Sequence, residues 1–235
     1  MTSSIQAACH LSHEEGSPRG RYADPTFSEL ELAALDWLDG FYQLEHLLSA
    51  RKWVIRLAGN ASEELRFAAL THDAERFFPG GPSDKPQNGF DNPDYLFEHS
   101  KRSADIVEEW LRQRDPQLPD RFIERVRALI LRHEIGGNPE EDIMQAADSL
   151  AFLDSFEWLI VSWIQDGHYS FERVCEKLDW MTTRIRIQEA LQLALPIYAR
   201  IVAVARAAGK TDINPANRRA QAANRAFLLG EEFSG

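Results

Sequence analysis

The chain has 235 residues, of which 44% are hydrophobic and 27% charged, and its net charge is −11. These proportions are ordinary for a soluble globular protein, and the length predicts one domain with a substantial core. The acidic balance disfavours a nucleic-acid polymer or an anionic membrane as partner, because both are polyanions. Cys9 and Cys175 show no disulfide-framework spacing. No signal-like or membrane-length apolar run occurs, so the sequence predicts a cytoplasmic protein.

Apolar residues recur at helical intervals along most of the chain, and no alternating strand pattern appears. Ser28 and Glu31 have capping-box spacing at the start of the first predicted helix. The stretch 79–94, rich in Gly, Pro, Asn and Asp, predicts a long loop. Further helices are predicted over about 41–58, 62–78, 95–112, 119–133, 139–164, 170–208 (kinked at Pro196) and 215–229.

We therefore expect an all-α protein organised in three parts. A flexible N-terminal tail is predicted over 1–26, because it contains Gly, Ser and Pro without helical periodicity. The helical bundle is predicted over 27–208, followed by an extension with a short helix over 209–235. The long C-terminal helices could provide the contact surface of a homodimer.

Side chains of the kind that bind metals recur at five places in this helical array. Taken singly, such a histidine is usually a hydrogen-bonded core residue. Apolar neighbours at intervals of three, four and seven, however, place these side chains on core-facing sides of their helices. A core carboxylate is costly unless it is paired or bound to a metal, and these ligand atoms suit Fe, Mn, Co, Ni or Zn. The residues are His46, the pair His72-Asp73, His99, His133 and Asp148.

The order His, His-Asp, His, His, Asp along a helical chain resembles the HD superfamily of metal-dependent enzymes. The resemblance spans about residues 41–155 and implies a helical bundle with a dinuclear site for divalent ions in its core. Fe, Mn, Co or similar ions are implied. The segments that carry it are Glu45-His46, Ala69-Leu70-Thr71-His72-Asp73-Ala74-Glu75-Arg76, Glu98-His99-Ser100, Leu131-Arg132-His133-Glu134 and Ala146-Ala147-Asp148-Ser149-Leu150.

The resemblance also divides the ligands between two ions. The first ion would be held by His46, His72 and Asp148, and the second by His99 and His133. The aspartate of the His-Asp doublet would bridge them, at the spacing of roughly 4 Å typical of dinuclear sites. The presence of the two later histidines favours two ions over one.

The chemistry that the resemblance implies most directly is hydrolysis of a phosphoester in a small phosphorylated or nucleotide substrate. A hydroxide bridging the metals would attack phosphorus, with Asp73 and Arg76 as catalytic residues. Arg76 would steady the phosphate, and Lys101 and Arg102 would add positive charge for substrate binding. Position 149 is Ser where several nucleotide hydrolases of this kind have Lys or Arg, which leaves a nucleotide substrate open.

Two other functions stay open on the same residues. Some six-ligand HD proteins, those resembling myo-inositol oxygenase and the phosphonate-cleaving oxygenases, activate oxygen with a mixed-valence di-iron pair. Such an enzyme would act on a small organic or phosphonate substrate, although the short interval from His133 to Asp148 is more typical of the hydrolases. A non-catalytic regulatory protein that keeps its metal is the third interpretation, and the complete ligand set disfavours it.

Overall fold

The computed structural model describes residues 17–84 and 90–209, which form an all-helical bundle. Within these ranges there are ten α-helices, two short 3-10 helices and no β-strand, so the predicted all-α class is confirmed. The α-helices are α1 Pro18–Tyr22, α2 Glu29–Trp37, α3 Leu44–Ala58, α4 Glu63–Thr71, α5 Pro93–Arg114, α6 Asp120–Arg132, α7 Pro139–Ser155, α8 Glu157–Gln165, α9 Phe171–Thr183 and α10 Gln188–Ala208, and the 3-10 helices are Ala74–Phe77 and Pro82–Asp84.

Side-chain caps begin several helices where the sequence predicts them. Ser28 and Glu31 form the complete capping box of α2, and Asn138 begins a second capping box at α7. Ser62 and Ser170 each accept a hydrogen bond from the backbone three residues on, which satisfies a free N–H group of α4 and α9. These four helices therefore start at residues whose side chains replace missing backbone partners.

Three predicted helices are interrupted, and the expectation of a continuous helix is wrong for each. The helix predicted over 62–78 ends at Thr71, and a 3-10 turn begins at Ala74. The helix predicted over 139–164 breaks at Phe156, between α7 and α8. The helix predicted over 170–208 breaks between Thr183 and Gln188, whereas Pro196 lies inside α10.

Helix α7 lies at the centre of the bundle, between two buried apolar clusters. The larger cluster contains residues of all helices from α2 through α7. Within it, α3 packs along α7 and α5 packs along α6. The smaller cluster joins the C-terminal half of α7 to α8, α9 and α10. Trp53 and Leu57 on α3 pack against both clusters. A polar residue on the inner face of α7 is therefore surrounded by helices on all sides.

A buried ion pair fixes the N-terminal part of the described chain. Arg51 on α3 is 2% exposed, and its Nε lies 2.7 Å from Oε1 of the fully buried Glu31. The same guanidinium donates to the carbonyl oxygen of Thr26 and stacks over the ring of Phe27 at 3.7 Å. The described end of the predicted tail, 17–26, therefore contains α1 and is bound to the bundle, so the domain starts before residue 27. The rest of that tail, 1–16, and the predicted helix over 215–229 lie outside the described residues.

By length and composition alone, α10 is long and apolar enough to cross a membrane. Core helices of soluble proteins meet the same criteria, and a third of its most apolar stretch is buried in the bundle. The expectation of a cytoplasmic protein without a membrane partner stays a prediction.

We predict that Arg51→Met lowers the free energy of unfolding by roughly 3–5 kcal/mol, because it leaves the carboxylate of Glu31 buried without its closest cation. Chemical denaturation followed by circular dichroism measures this loss. Arg112→Met, which removes an exposed ion pair with Glu108, is the matched control and should leave the midpoint unchanged. Equal midpoints for the two variants would show that the buried pair does not stabilise the fold.

Candidate metal centre

All six ligand-type side chains predicted from the sequence converge at one place in the bundle. They come from five places in the fold. The doublet lies at the junction after α4, and the other four side chains come from α3, α5, the end of α6 and α7. None is more than 6% exposed. The residues that meet there are His46, His72, Asp73, His99, His133 and Asp148.

The doublet lies in a break between helices. The Nδ1 atom of His72 donates to the carbonyl oxygen of Ala69 at 2.9 Å, which satisfies a carbonyl at the end of α4. The backbone N–H of Glu75 donates to Ser103 Oγ on α5 at 3.1 Å instead of continuing the α-helix. Because the chain turns here, His72 faces α7 while Asp73 faces α5 and α6.

The first group of ligands surrounds the carboxylate of Asp148. Its Oδ1 atom lies 3.2 Å from His46 Nε2 and 3.3 Å from His72 Nε2. The ring of His46 stacks on Phe156 with centroids 4.7 Å apart, at the break between α7 and α8. Two imidazoles from separate elements therefore meet one carboxylate oxygen.

The second group surrounds the carboxylate of Asp73. Its Oδ1 atom lies 2.8 Å from His99 Nε2 and 3.9 Å from His133 Nε2. The outer nitrogen of His99 lies 2.7 Å from Glu75 Oε2, and that of His133 lies 2.6 Å from the carbonyl oxygen of Ile130. Such outer acceptors orient a metal-binding imidazole and leave its inner nitrogen free for an ion.

The ligand atoms form three overlapping groups, within each of which all atoms lie within 4.8 Å of one another. Asp73 belongs to two of the groups, once with His46 and His72 and once with His99 and His133, while His72 and His133 meet again with Asp148 in the third group. Buried clusters of histidine and aspartate that could hold metal ions are thus present as predicted. The division of the ligands between two ions, with Asp73 as the bridge, stays a prediction that this arrangement fits.

The inner nitrogen of His133 is a specific point of fit for a cation. Burial lowers the pKa of His133 to about 4, so the ring is neutral. Its Nδ1–H donates to Ile130, so Nε2 carries a lone pair, and this atom is buried without a hydrogen-bond partner among the described residues. A buried polar atom without a partner is costly, and a metal ion would satisfy it. The nitrogen and oxygen donors suit first-row divalent ions.

Two guanidinium groups keep the aspartates ionised. Burial alone would raise the pKa of Asp73, but the neighbouring charge of Arg76 holds it well below the usual value. Burial would likewise raise the pKa of Asp148, and Arg184 holds it well below the usual value. Both aspartates are therefore carboxylates, the form that binds a metal.

Arg184, at the end of α9, is a functional-site residue that the sequence analysis missed. Its guanidinium forms ion pairs with Asp148 and Glu134, and its Nε donates to Ser149 Oγ at 2.8 Å. Gln145 on α7 donates to its carbonyl oxygen at 2.9 Å. A cation therefore stands beside Asp148, but it comes from position 184 and not from the residue after the aspartate.

The ionised state of Glu134 also depends on Arg184. Burial would raise the pKa of Glu134, but Arg184 lowers it to about 2. Its Oε1 lies 3.7 Å from His133 Nε2, so the carboxylate stands between the arginine and a ligand. The side chain is thus placed to balance the charge of Arg184 and to contact His133 at the edge of the cluster.

The three predicted substrate-binding cations lie in different surroundings in the structure. Arg76 is 21% exposed; its Nε donates to Asp73 Oδ2 at 2.9 Å. Lys101 is exposed on the outside of α5 and pairs with Asp105. Arg102 donates to the carbonyl oxygen of Pro79. Of the three, Arg76 alone contacts a candidate ligand, so the positions of Lys101 and Arg102 do not support a substrate-binding role.

Comparison with models of protein families, with curated proteins and with solved structures found no match to this chain. Membership of the HD superfamily therefore stays a prediction based on the residues and geometry described above.

We predict that metal binding at pH 7.5 releases protons. Burial alone would lower the pKa of His72, but the carboxylates of Asp73 and Asp148 raise it to about 9 in the metal-free chain. This histidine must lose its proton to bind an ion, so metal affinity should fall as the pH falls. Titration calorimetry with Mn²⁺ in buffers of different ionisation enthalpy measures the release. Heats that do not depend on the buffer would contradict it.

The same raised pKa affects the stability of the metal-free protein in a defined pH window. The folded pKa lies above the unfolded value of about 6.5, so stability from His72 is fully present below that value. It is lost as the pH rises through about 9. Thermal unfolding of the chelator-treated protein between pH 6 and pH 10 provides the measurement.

We predict that Asp73→Asn loses most of the bound metal, because it removes the charge shared by two ligand groups while keeping the side-chain shape. His133→Ala should lose only about half, since it belongs to the second ion in the predicted division. Equilibrium dialysis followed by elemental analysis gives the stoichiometry. Asp105→Asn, on the exposed side of α5, is the matched control. Full metal content in Asp73→Asn would refute the bridging assignment.

Proposed function

We propose that the protein is a metal-dependent phosphohydrolase of the HD superfamily that acts on a small phosphorylated substrate. One observation carries the proposal: six buried ligand side chains converge beside the partly exposed guanidinium of Arg76. Phosphoryl transfer needs chiefly positioning and charge neutralisation, and this combination of groups is suited to both. The proposed activity, family membership and substrate class all rest on this arrangement.

The metal ligands would be His46, His72, Asp73, His99, His133 and Asp148. Divalent ions bound there would supply Lewis acidity and lower the pKa of water for attack on phosphorus. The chain's own outer groups hold the ligands in place. Glu75 fixes the ring of His99, and Arg184 holds the carboxylate of Asp148.

Arg76 would bind the phosphate oxygens. Its Nε is bound to Asp73, and its Nη1 lies 3.1 Å from Ser83 Oγ and 3.2 Å from Tyr95 Oη. The ring of Tyr95 in turn stacks on His99 with centroids 6.0 Å apart. The guanidinium is therefore held at the edge of the ligand cluster before any substrate arrives, and such preorganised charge is what stabilises a phosphoryl transition state.

The test of the proposed function begins with elemental analysis of protein purified without chelator. A broad phosphoester screen with Mn²⁺, Co²⁺ and Fe²⁺ follows, beside measurement of oxygen consumption with organic and phosphonate substrates. Bound divalent metal and metal-dependent release of phosphate are expected. Two bound irons with oxygen consumption and no phosphate release would replace the hydrolase by an oxygenase. Bound metal with neither activity would leave a regulatory metal protein.

We predict that Arg76→Met lowers kcat for the phosphoester found in this screen by roughly 100-fold, because it removes the charge proposed to bind the phosphate. Metal content should be retained at saturating metal, although the apparent metal affinity should change because Arg76 also neutralises Asp73. Steady-state kinetics and elemental analysis measure the two effects separately. Arg102→Met, which removes a guanidinium bound to a loop carbonyl, is the matched control. An unchanged kcat in Arg76→Met would exclude the assigned role.

A further inference from the structure

Lys177 on α9 is a half-buried cation without a counterion in the described part of the chain. Its Nζ lies over the rings of Phe90 and Phe152, 5.2 and 5.1 Å from their centroids. Among the described residues, no carboxylate lies within ion-pair distance of this ammonium group. Arg173, one turn earlier, also stacks on Phe90 but has a partner in Glu176. Contacts with aromatic rings stabilise a desolvated ammonium only in part, so Lys177 has capacity for an anion.

Both helices around Lys177 connect it to the candidate metal centre. Lys177 precedes Arg184 by two turns of α9, which places the two side chains on the same face. Phe152 follows Asp148 by one turn of α7. The ammonium therefore lies on the side of the bundle where Arg184 meets Asp148.

The charges that act on Lys177 agree with a position on this side of the candidate metal centre. Burial lowers the pKa of Lys177 to about 8, and the charges felt beside it are those of Glu134, Arg184, Arg76 and Asp148. These four groups belong to the cluster or form ion pairs at its edge, so the charges that act on Lys177 are those of the candidate metal centre.

The balance of charge at the loaded site favours an anionic ligand. Four carboxylates and three cations lie in or beside the cluster, so two divalent ions and the attacking hydroxide would leave a surplus of two positive charges. A phosphate dianion would neutralise that surplus. The carboxylates are Asp73, Glu75, Glu134 and Asp148, and the cations are Arg76, Lys177 and Arg184.

We propose that Lys177 forms a second anion subsite, which binds a carboxylate or phosphate group of the substrate while the reacting phosphate lies at the metal centre beside Arg76. This inference rests on the proposed function for the identity of the first group. The substrate class is then a small phosphoester that carries a second anionic group. Phe90 and Phe152 shield the ammonium from water, which strengthens its attraction for that group.

The experiment measures binding without turnover, using stable anions and the full-length, Mn²⁺-loaded protein. Titration calorimetry compares methylphosphonate, which has one anionic group, with phosphonoacetate and pyrophosphate, which have two. The native protein should bind one or both of the latter about tenfold or more tightly than methylphosphonate, as expected for a further charge-assisted contact. This difference in affinity is the margin that the variants test. Tighter binding of phosphonoacetate would identify the second group as a carboxylate, and tighter binding of pyrophosphate would identify it as a phosphate.

Lys177→Met should lose this margin while keeping its affinity for methylphosphonate, and Lys177→Arg should keep part of it. Lys101→Met is the matched control, since it removes an exposed lysine and should keep the margin in full. If Lys177→Met fails to fold, Lys177→Gln carries the same test. A margin that survives in the folded variant, or is absent in the native protein, overturns the subsite. If the margin depends on Lys177 but the substrate screen finds no phosphate release, the subsite is supported and the hydrolase proposal is overturned.

Discussion

Four carboxylates lie buried at the centre of the bundle, and the surrounding structure depends on matching their charge. An unpaired carboxylate in such a place costs several kcal/mol, so each must meet a cation or strong donors. Arg76 meets Asp73, and Arg184 meets both Asp148 and Glu134. The pair of Asp73 and Arg76 is local, since the two residues are three positions apart. The pairs of Arg184 instead join the end of α9 to α7 and to the end of α6, so these helices must assemble before Asp148 and Glu134 are balanced.

The helix breaks follow from this requirement. At 72–73 the chain leaves α4 because Glu75 donates its N–H to Ser103, and the doublet can then face two sides. Between α9 and α10 the chain is non-helical over 185–187, and Gln145 donates to the carbonyl oxygen of Arg184. Each break gives up helical hydrogen bonds and replaces them with contacts to another helix, which orient a ligand or its counterion.

The helical class, the capped helix starts and the six converging side chains could be predicted because they depend on local pattern: periodicity, capping residues and ligand types on core-facing positions. The breaks could not, since their causes are distant contacts. Ser103 lies 28 residues from Glu75, and Arg184 lies 36 from Asp148. The alternation Arg184-Ile185-Arg186-Ile187, with Ile185 buried and Arg186 exposed, is a local signal that departs from helical spacing.

Arg76, Lys177 and Arg184 differ in the ion pairs that they already form within the fold. This difference determines which of them can bind a ligand. Arg184 pairs with two carboxylates, so a substrate that displaced it would leave a buried charge unmatched. Arg76 holds Asp73 through Nε, but its Nη1 contacts the neutral hydroxyls of Ser83 and Tyr95, which cost less to exchange for phosphate oxygens. The ammonium of Lys177 lies over aromatic rings and forms no ion pair among the described residues. In the proposed hydrolase, substrate recognition would therefore fall to Arg76 and Lys177, while Arg184 would hold the candidate metal ligand Asp148 in place.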